Sequence, residues 1–66
     1  WLMDTLHLVE RLDETFTLKQ MYSFVDELQV KHPDNNHILD KIRQQLQFLR
    51  DKGIIEFKGN GVYRKI

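Results

Sequence analysis

The chain has 66 residues, of which 41% are apolar, and its ten basic and ten acidic side chains give a formal net charge of zero. That length suits one small domain spanning residues 1–66. The absence of cysteine excludes disulfide bonds and cysteine-based zinc sites, and no apolar run approaches the ~20 residues of a membrane-spanning helix. Because the chain begins at Trp1 rather than methionine, we interpret it as a domain of a longer protein.

The charges are distributed unevenly along the chain. Residues 1–30 contain two basic and six acidic side chains, whereas residues 31–66 contain eight basic and four acidic ones. A positive second half favours a polyanionic partner at that end of the molecule. Chance segregation of ten charges of each sign is the alternative explanation.

Two helices and a short strand are predicted in the first half of the chain. Apolar residues at helical spacing predict an amphipathic helix over residues 2–13. The β-branched and aromatic residues 15–17 predict a short strand. Thr17 is expected to cap a second helix over residues 18–31. His32-Pro33 closes this helix, because the residue before proline avoids helical geometry.

A third helix is predicted over residues 37–52. The preceding turn contains Asn36, whose side chain can cap the helix. The apolar stripe of this helix consists of Ile38, Ile42, Leu46 and Leu49.

The chain is predicted to end in a β-hairpin. Gly53 is expected to stop the third helix in a left-handed conformation. Strands over residues 54–58 and 62–66 flank Gly59-Asn60-Gly61, whose residues tolerate positive φ. A lone hairpin is marginal, so we expect it to pair with residues 15–17. Three helices and this hairpin define an α+β, mainly α fold: a winged helix-turn-helix.

In helix-turn-helix proteins the second helix of the motif enters the major groove of DNA, and its N-terminal half contacts the bases. Glutamine can pair with adenine, and arginine or lysine with guanine. The residues predicted to occupy this position are Asn35, Asn36, His37, Lys41 and Gln44, followed by Arg43, Gln45 and Gln47. A solvated helix surface is the alternative, because glutamine is also a good helix former.

Basic residues on the hairpin form the second candidate contact with DNA. Lys58 and Arg64 are expected to approach phosphates or the minor groove. The alternative is that they protect a sheet edge from pairing with other chains. The three histidines are not at metal-ligand spacing, and the sequence contains no recognisable catalytic group or glycine-rich phosphate loop.

The sequence resembles the C-terminal domain of the Dam-replacing (DpnI-like) restriction endonucleases. The most specific block is KIRQQLQ at residues 41–47, and the resemblance extends over nearly all of the chain from Phe16 onward. Further matching blocks are residues 16–18, 32–36, 49–53, 55–57 and 61–64.

The resemblance implies a reader of GATC sites that contain N6-methyladenine, within a prokaryotic, cytoplasmic type II restriction enzyme. It implies that cleavage is performed by a Mg²⁺-dependent nuclease domain elsewhere in the parent chain, with no cofactor in this domain. The implied DNA-contacting residues are Asn35, Asn36, Lys41, Arg43, Gln44, Gln45 and Gln47.

Two other functions are compatible with the same fold. A winged helix can serve protein–protein contact or dimerisation, and the zero net charge favours that reading. It can also belong to a transcription regulator. The segregated charge and the amide-rich helix surface argue against the protein-contact alternative.

Overall fold

The computed structural model describes all 66 residues and contains four helices and three strands. None of the helices has the length and hydrophobicity needed to cross a membrane. The elements in chain order are α1 (Leu2–Glu10), β1 (Thr15–Thr17), α2 (Leu18–Tyr22), α3 (Val25–Lys31), α4 (Ile38–Asp51), β2 (Ile55–Gly59) and β3 (Val62–Lys65).

The predicted second helix is two helices, and this corrects the sequence-based expectation of a continuous helix over residues 18–31. The break falls at Ser23 and Phe24, between α2 and α3. The Ser23 hydroxyl donates to the carbonyl of Gln20, and the Phe24 N–H bonds to the carbonyl of Met21. A serine hydroxyl that bonds back to the preceding turn competes with the helical ladder and bends the helix. The first helix is also shorter than the predicted 2–13, because it ends at Glu10.

The start of α2 confirms the predicted cap. The Thr17 side chain accepts a hydrogen bond from the Gln20 N–H, and the Gln20 side chain accepts one from the Thr17 N–H. This reciprocal pair is a capping box, which satisfies two backbone donors that the first helical turn leaves free. The same residue ends β1, so one threonine fixes the direction of both elements.

The turn before α4 differs from the prediction in one residue. Asn36 was expected to cap the helix, but the N-cap residue is His37, which makes no side-chain cap. Instead, the Asn35 side-chain oxygen accepts the His37 N–H at 2.7 Å, closing an Asx-type turn. Asn36 is therefore left exposed, with its side chain free of this structural role.

The three strands form one antiparallel sheet in the order β1-β3-β2. The predicted pairing of the hairpin with residues 15–17 is confirmed, with Phe16 opposite Tyr63. The hairpin turn places Gly59, Asn60 and Gly61 at positive φ, and a register shift follows Phe57. Gly53 also has positive φ, as expected of a glycine that ends a helix.

The hydrophobic core lies between the helices and the sheet. All four residues of the predicted α4 stripe are buried, with Ile42, Leu46 and Leu49 completely inaccessible to solvent. Their partners come from every other helix and from β1 and β2: Leu8, Val9, Phe16, Met21, Leu28 and Ile55. The core thus fixes which side of α4 faces outward. The α+β winged-helix prediction is confirmed, with one helix more than expected.

Candidate nucleic-acid interface

The outward side of α4 carries four of the ten residues predicted to contact DNA. Opposite the buried stripe, the helix exposes Arg43, Gln44 and Gln47, while Lys41 is half-buried at one edge. Gln44 makes no side-chain hydrogen bond within the protein, whereas the Gln47 amide donates to Asp51 at 2.9 Å. Among the α4 glutamines, Gln44 is therefore the one whose amide is both exposed and available to a ligand.

Gln45 does not belong to this outward side, which corrects its inclusion among the predicted contacts. Only 4% of its surface is exposed. It lies three residues after Ile42 and four before Leu49, and residues at these spacings share one face of a helix. Its side chain is therefore part of the packed side of α4.

Five of the predicted residues meet in a polar concavity at the start of α4. This first concavity has a volume of about 440 Å³ and no hydrophobic residue in its lining. Its lining consists of Asp34, Asn35, Asn36, His37, Asp40, Lys41 and Gln44. The structure thus brings the predicted Asn-Asn turn and the first turns of α4 together, at the end that inserts into the major groove in helix-turn-helix proteins.

A second concavity lies between α4 and the hairpin. It has a volume of about 340 Å³ and is lined by Asp40, Arg43, Gln44, Gln47 and Tyr63. Asp40 and Gln44 border both concavities and therefore lie at the centre of the site. Arg43 and Gln47 join it here, as predicted from their side of the helix.

Tyr63 is a site residue that the sequence did not identify, because one face of the hairpin was expected only to pack. Its ring is held on two sides, 5.6 Å from the Phe16 ring centroid and 5.2 Å from that of Phe57. Burial raises the pKa of the Tyr63 phenol. The residue therefore remains a protonated hydrogen-bond donor near neutral pH. The sequence feature that could have identified Tyr63 is the predicted pairing of the hairpin with residues 15–17, which places residue 63 in the central strand.

The basic residues of the hairpin are paired within the protein. Arg64 forms ion pairs with Glu56 and Glu14, and Lys58 lies 3.7 Å from Glu56. The hydrogen bond from Arg64 lowers the pKa of Glu56, and the same bond raises the pKa of Arg64. Lys65 donates to the carbonyl of Leu12. Contact of Lys58 and Arg64 with DNA stays a prediction, and it requires them to share or exchange these partners.

The residues at the start of α1 pack beside the first concavity. The Trp1 ring stacks on His32 with centroids 3.9 Å apart, and the Lys41 ammonium lies 5.9 Å from the Trp1 ring centroid. A cation over an aromatic face is attracted by the ring quadrupole. Trp1 therefore helps to orient Lys41, a contribution that the sequence pattern did not reveal.

No three histidine, cysteine, aspartate or glutamate side chains are close enough together to hold a metal ion. The polar groups of the site are mainly amides and cations, with two carboxylates at Asp34 and Asp40, and such groups suit hydrogen bonding to bases and phosphates. A comparison with known families agrees with this chemistry: the model of the Dam-replacing HTH domain matches residues 1–65.

Proposed function

The chain belongs to the Dam-replacing HTH domain family, whose fold is a DNA-binding winged helix, and from this premise we propose that it reads duplex GATC containing N6-methyladenine. In this proposal α4 occupies the major groove and the hairpin lies alongside it. The domain operates in a prokaryotic restriction enzyme, joined to a nuclease domain in the same parent chain. In this proposal the Mg²⁺ that cleavage requires is bound by that nuclease domain.

The observation that carries the proposal is the position of Gln44. Its exposed amide has no partner within the protein and lies between two concavities, with cations on either side at Lys41 and Arg43. A glutamine presented in this way matches the N7 and N6 edge of adenine. An ordinary solvated helix surface would more often pair glutamate with lysine one turn apart.

The methyl group changes what Gln44 can do. In a base pair, one hydrogen of the adenine N6 bonds to thymine, and methylation replaces the other. The Gln44 NH₂ group can still donate to N7, but the methyl group itself requires an apolar contact. In our proposal that contact comes from the aliphatic stems of Gln44 and Lys41 and from the neighbouring ring of His37.

The test is a comparison of three duplexes of equal length: fully methylated GATC, unmethylated GATC and a scrambled site. We expect the methylated duplex to bind most tightly. Gln44→Ala should weaken binding to that duplex by about 1–2 kcal/mol, because the hydrogen bond to N7 and the contact of the side-chain stem with the methyl group are both lost, and should leave binding to the scrambled duplex unaffected. Equal affinity of the wild-type domain for methylated and unmethylated GATC would overturn the proposal.

The protein-contact alternative makes a different prediction. A domain that serves only protein–protein association would show no salt-sensitive binding to any of the three duplexes. A transcription regulator of other specificity would bind all three duplexes with similar, salt-sensitive affinity. The same titrations therefore discriminate among the three functions.

A further inference from the structure

The four arginines of the chain fall into two classes. Arg11 pairs with Glu27, and Arg64 pairs with Glu56. Arg43 and Arg50 have no carboxylate partner within the protein, and both are exposed on α4. An unpaired guanidinium keeps all its donors and its charge available to an external anion.

The two unpaired arginines lie on the same flank of α4. They are seven residues apart, which is about two helical turns. Both are directed toward the hairpin: the Arg50 guanidinium carbon lies 6.0 Å from the Phe57 ring centroid, and Arg43 lines the second concavity together with Tyr63. Two positive charges are therefore held at the junction between the helix and the hairpin.

Tyr63 adds a neutral donor at the same junction. Its hydroxyl has no hydrogen-bond partner within the protein and is not sealed from solvent. Its ring is fixed between Phe16 and Phe57, so little side-chain entropy remains to be lost when the hydroxyl binds a ligand. Both guanidiniums are close enough to counteract the rise that burial causes in the pKa of this phenol.

We propose that Arg43, Arg50 and Tyr63 form a seat for a backbone phosphate of DNA at the junction of α4 and the hairpin, here called the phosphate seat. Guanidinium groups and a rigid hydroxyl donor match the acceptor oxygens of a phosphodiester. The seat binds DNA of any sequence and fixes the position of α4 in the groove, so that Gln44 meets its base.

Asp40 limits where the phosphate lies. Its carboxylate borders the second concavity one turn before Arg43 and Gln44 and repels an anion at that end. The phosphate is therefore held at the Tyr63 and Arg50 end.

This inference rests on DNA binding by the winged helix and not on recognition of the methyl group. The test measures the affinity of the 66-residue domain for the methylated GATC and scrambled duplexes at several salt concentrations. The variants are Arg43→Gln, Arg50→Gln and Tyr63→Phe. Arg11→Gln is the matched control, because it makes the same chemical change at an exposed arginine that is already paired.

We expect each of Arg43→Gln and Arg50→Gln to weaken binding equally on both duplexes and to reduce the log–log salt slope by at most about 0.9, the contribution of one neutralised phosphate. Tyr63→Phe should weaken binding to both duplexes about tenfold, because a neutral hydrogen-bond donor to a charged phosphate oxygen is lost. The salt slope should not change, because no charge is removed. Arg11→Gln should change neither quantity. Thermal unfolding of each variant verifies that the fold is intact.

Two results would overturn the phosphate seat. One is a wild-type salt slope in both Arg43→Gln and Arg50→Gln. The other is a loss of affinity confined to the methylated GATC duplex, which would make these residues base readers. Failure of methyl recognition would instead appear as equal affinity of the wild-type domain for methylated and unmethylated GATC. The salt slopes of the arginine variants do not depend on that outcome.

Discussion

Gln44 and Gln45 show how sharply the role of one residue type depends on its position in a helix. Successive helical residues are rotated by about 100°, so Gln44 is exposed between two concavities while Gln45 is 4% exposed. The glutamine-rich segment therefore divides into one amide available to DNA and one packed in the domain. Gln47 lies between these cases, exposed but bonded to Asp51.

Substitution of the two neighbours by alanine should separate binding from stability. Gln45→Ala is expected to lower the free energy of unfolding by about 1 kcal/mol, since buried methylene surface is lost, and to leave the affinity for DNA unchanged. Gln44→Ala should lower the affinity for DNA and leave the free energy of unfolding unchanged. Urea unfolding and DNA titration of both variants check this. A loss of DNA affinity in Gln45→Ala with unchanged stability would contradict the assignment.

The burial of Gln45 was accessible from the sequence, because its spacing to Ile42 and Leu49 places it on the apolar side. The prediction grouped Gln45 with Gln44 and Gln47 because all three are amides, and not by its position around the helix axis. The role of Tyr63 was less accessible. Its place beside Arg43 and Gln47 depends on β3 being the central strand and on how the sheet packs against α4. Long-range packing of this kind has no local sequence pattern.

At the scale of the elements, polar side chains decide where the α2–α3 region begins and breaks. The apolar pattern continues through Met21, Val25 and Leu28, so periodicity alone predicted one helix. The Thr17 cap was predicted because the signal is local and follows a strand. The hydrogen bond from the Ser23 hydroxyl to the Gln20 carbonyl was not predicted. A serine within a helix can also point its hydroxyl to solvent and leave the helix straight, so the sequence does not indicate which occurs.

Thr17→Ala should lower the free energy of unfolding by about 1 kcal/mol, because the capping box loses its side-chain acceptor. The matched control is Thr15→Ala, which removes the same hydroxyl and methyl from the exposed start of β1 but caps no helix. Chemical denaturation of both variants measures the difference. Equal destabilisation by the two substitutions would show that strand propensity, not the cap, accounts for the effect.

At the scale of the whole molecule, one charged contact joins the first helix to the end of α3. The His32 ring nitrogen donates to Asp4 at 2.8 Å, and the Lys31 ammonium lies 3.6 Å from the same carboxylate. The hydrogen bond from His32 is the main cause that lowers the pKa of Asp4, and the positive charge of Lys31 adds to it. The fold therefore favours the ionised carboxylate.

A lowered pKa in the folded state fixes the sign of the pH dependence. The stabilisation by Asp4 is fully present above its ordinary pKa of 3.8 and is lost as the pH falls through the lower value in the fold. Asp4→Asn should therefore be less stable than the wild type at about pH 5, and the difference should shrink as the pH falls below 3.8. Urea unfolding across this range measures it. A constant difference would mean that Asp4 acts by packing alone.

The strand order has a consequence for how the chain folds. Because β3 lies between β1 and β2, Phe16 has no strand partner until residues 62–65 are in place. The helices rest largely on local hydrogen bonds and have the shortest loops to close. We therefore expect the helical layer to form first and the sheet to close last. In this order the seating of Tyr63 is the step that completes the DNA-binding surface.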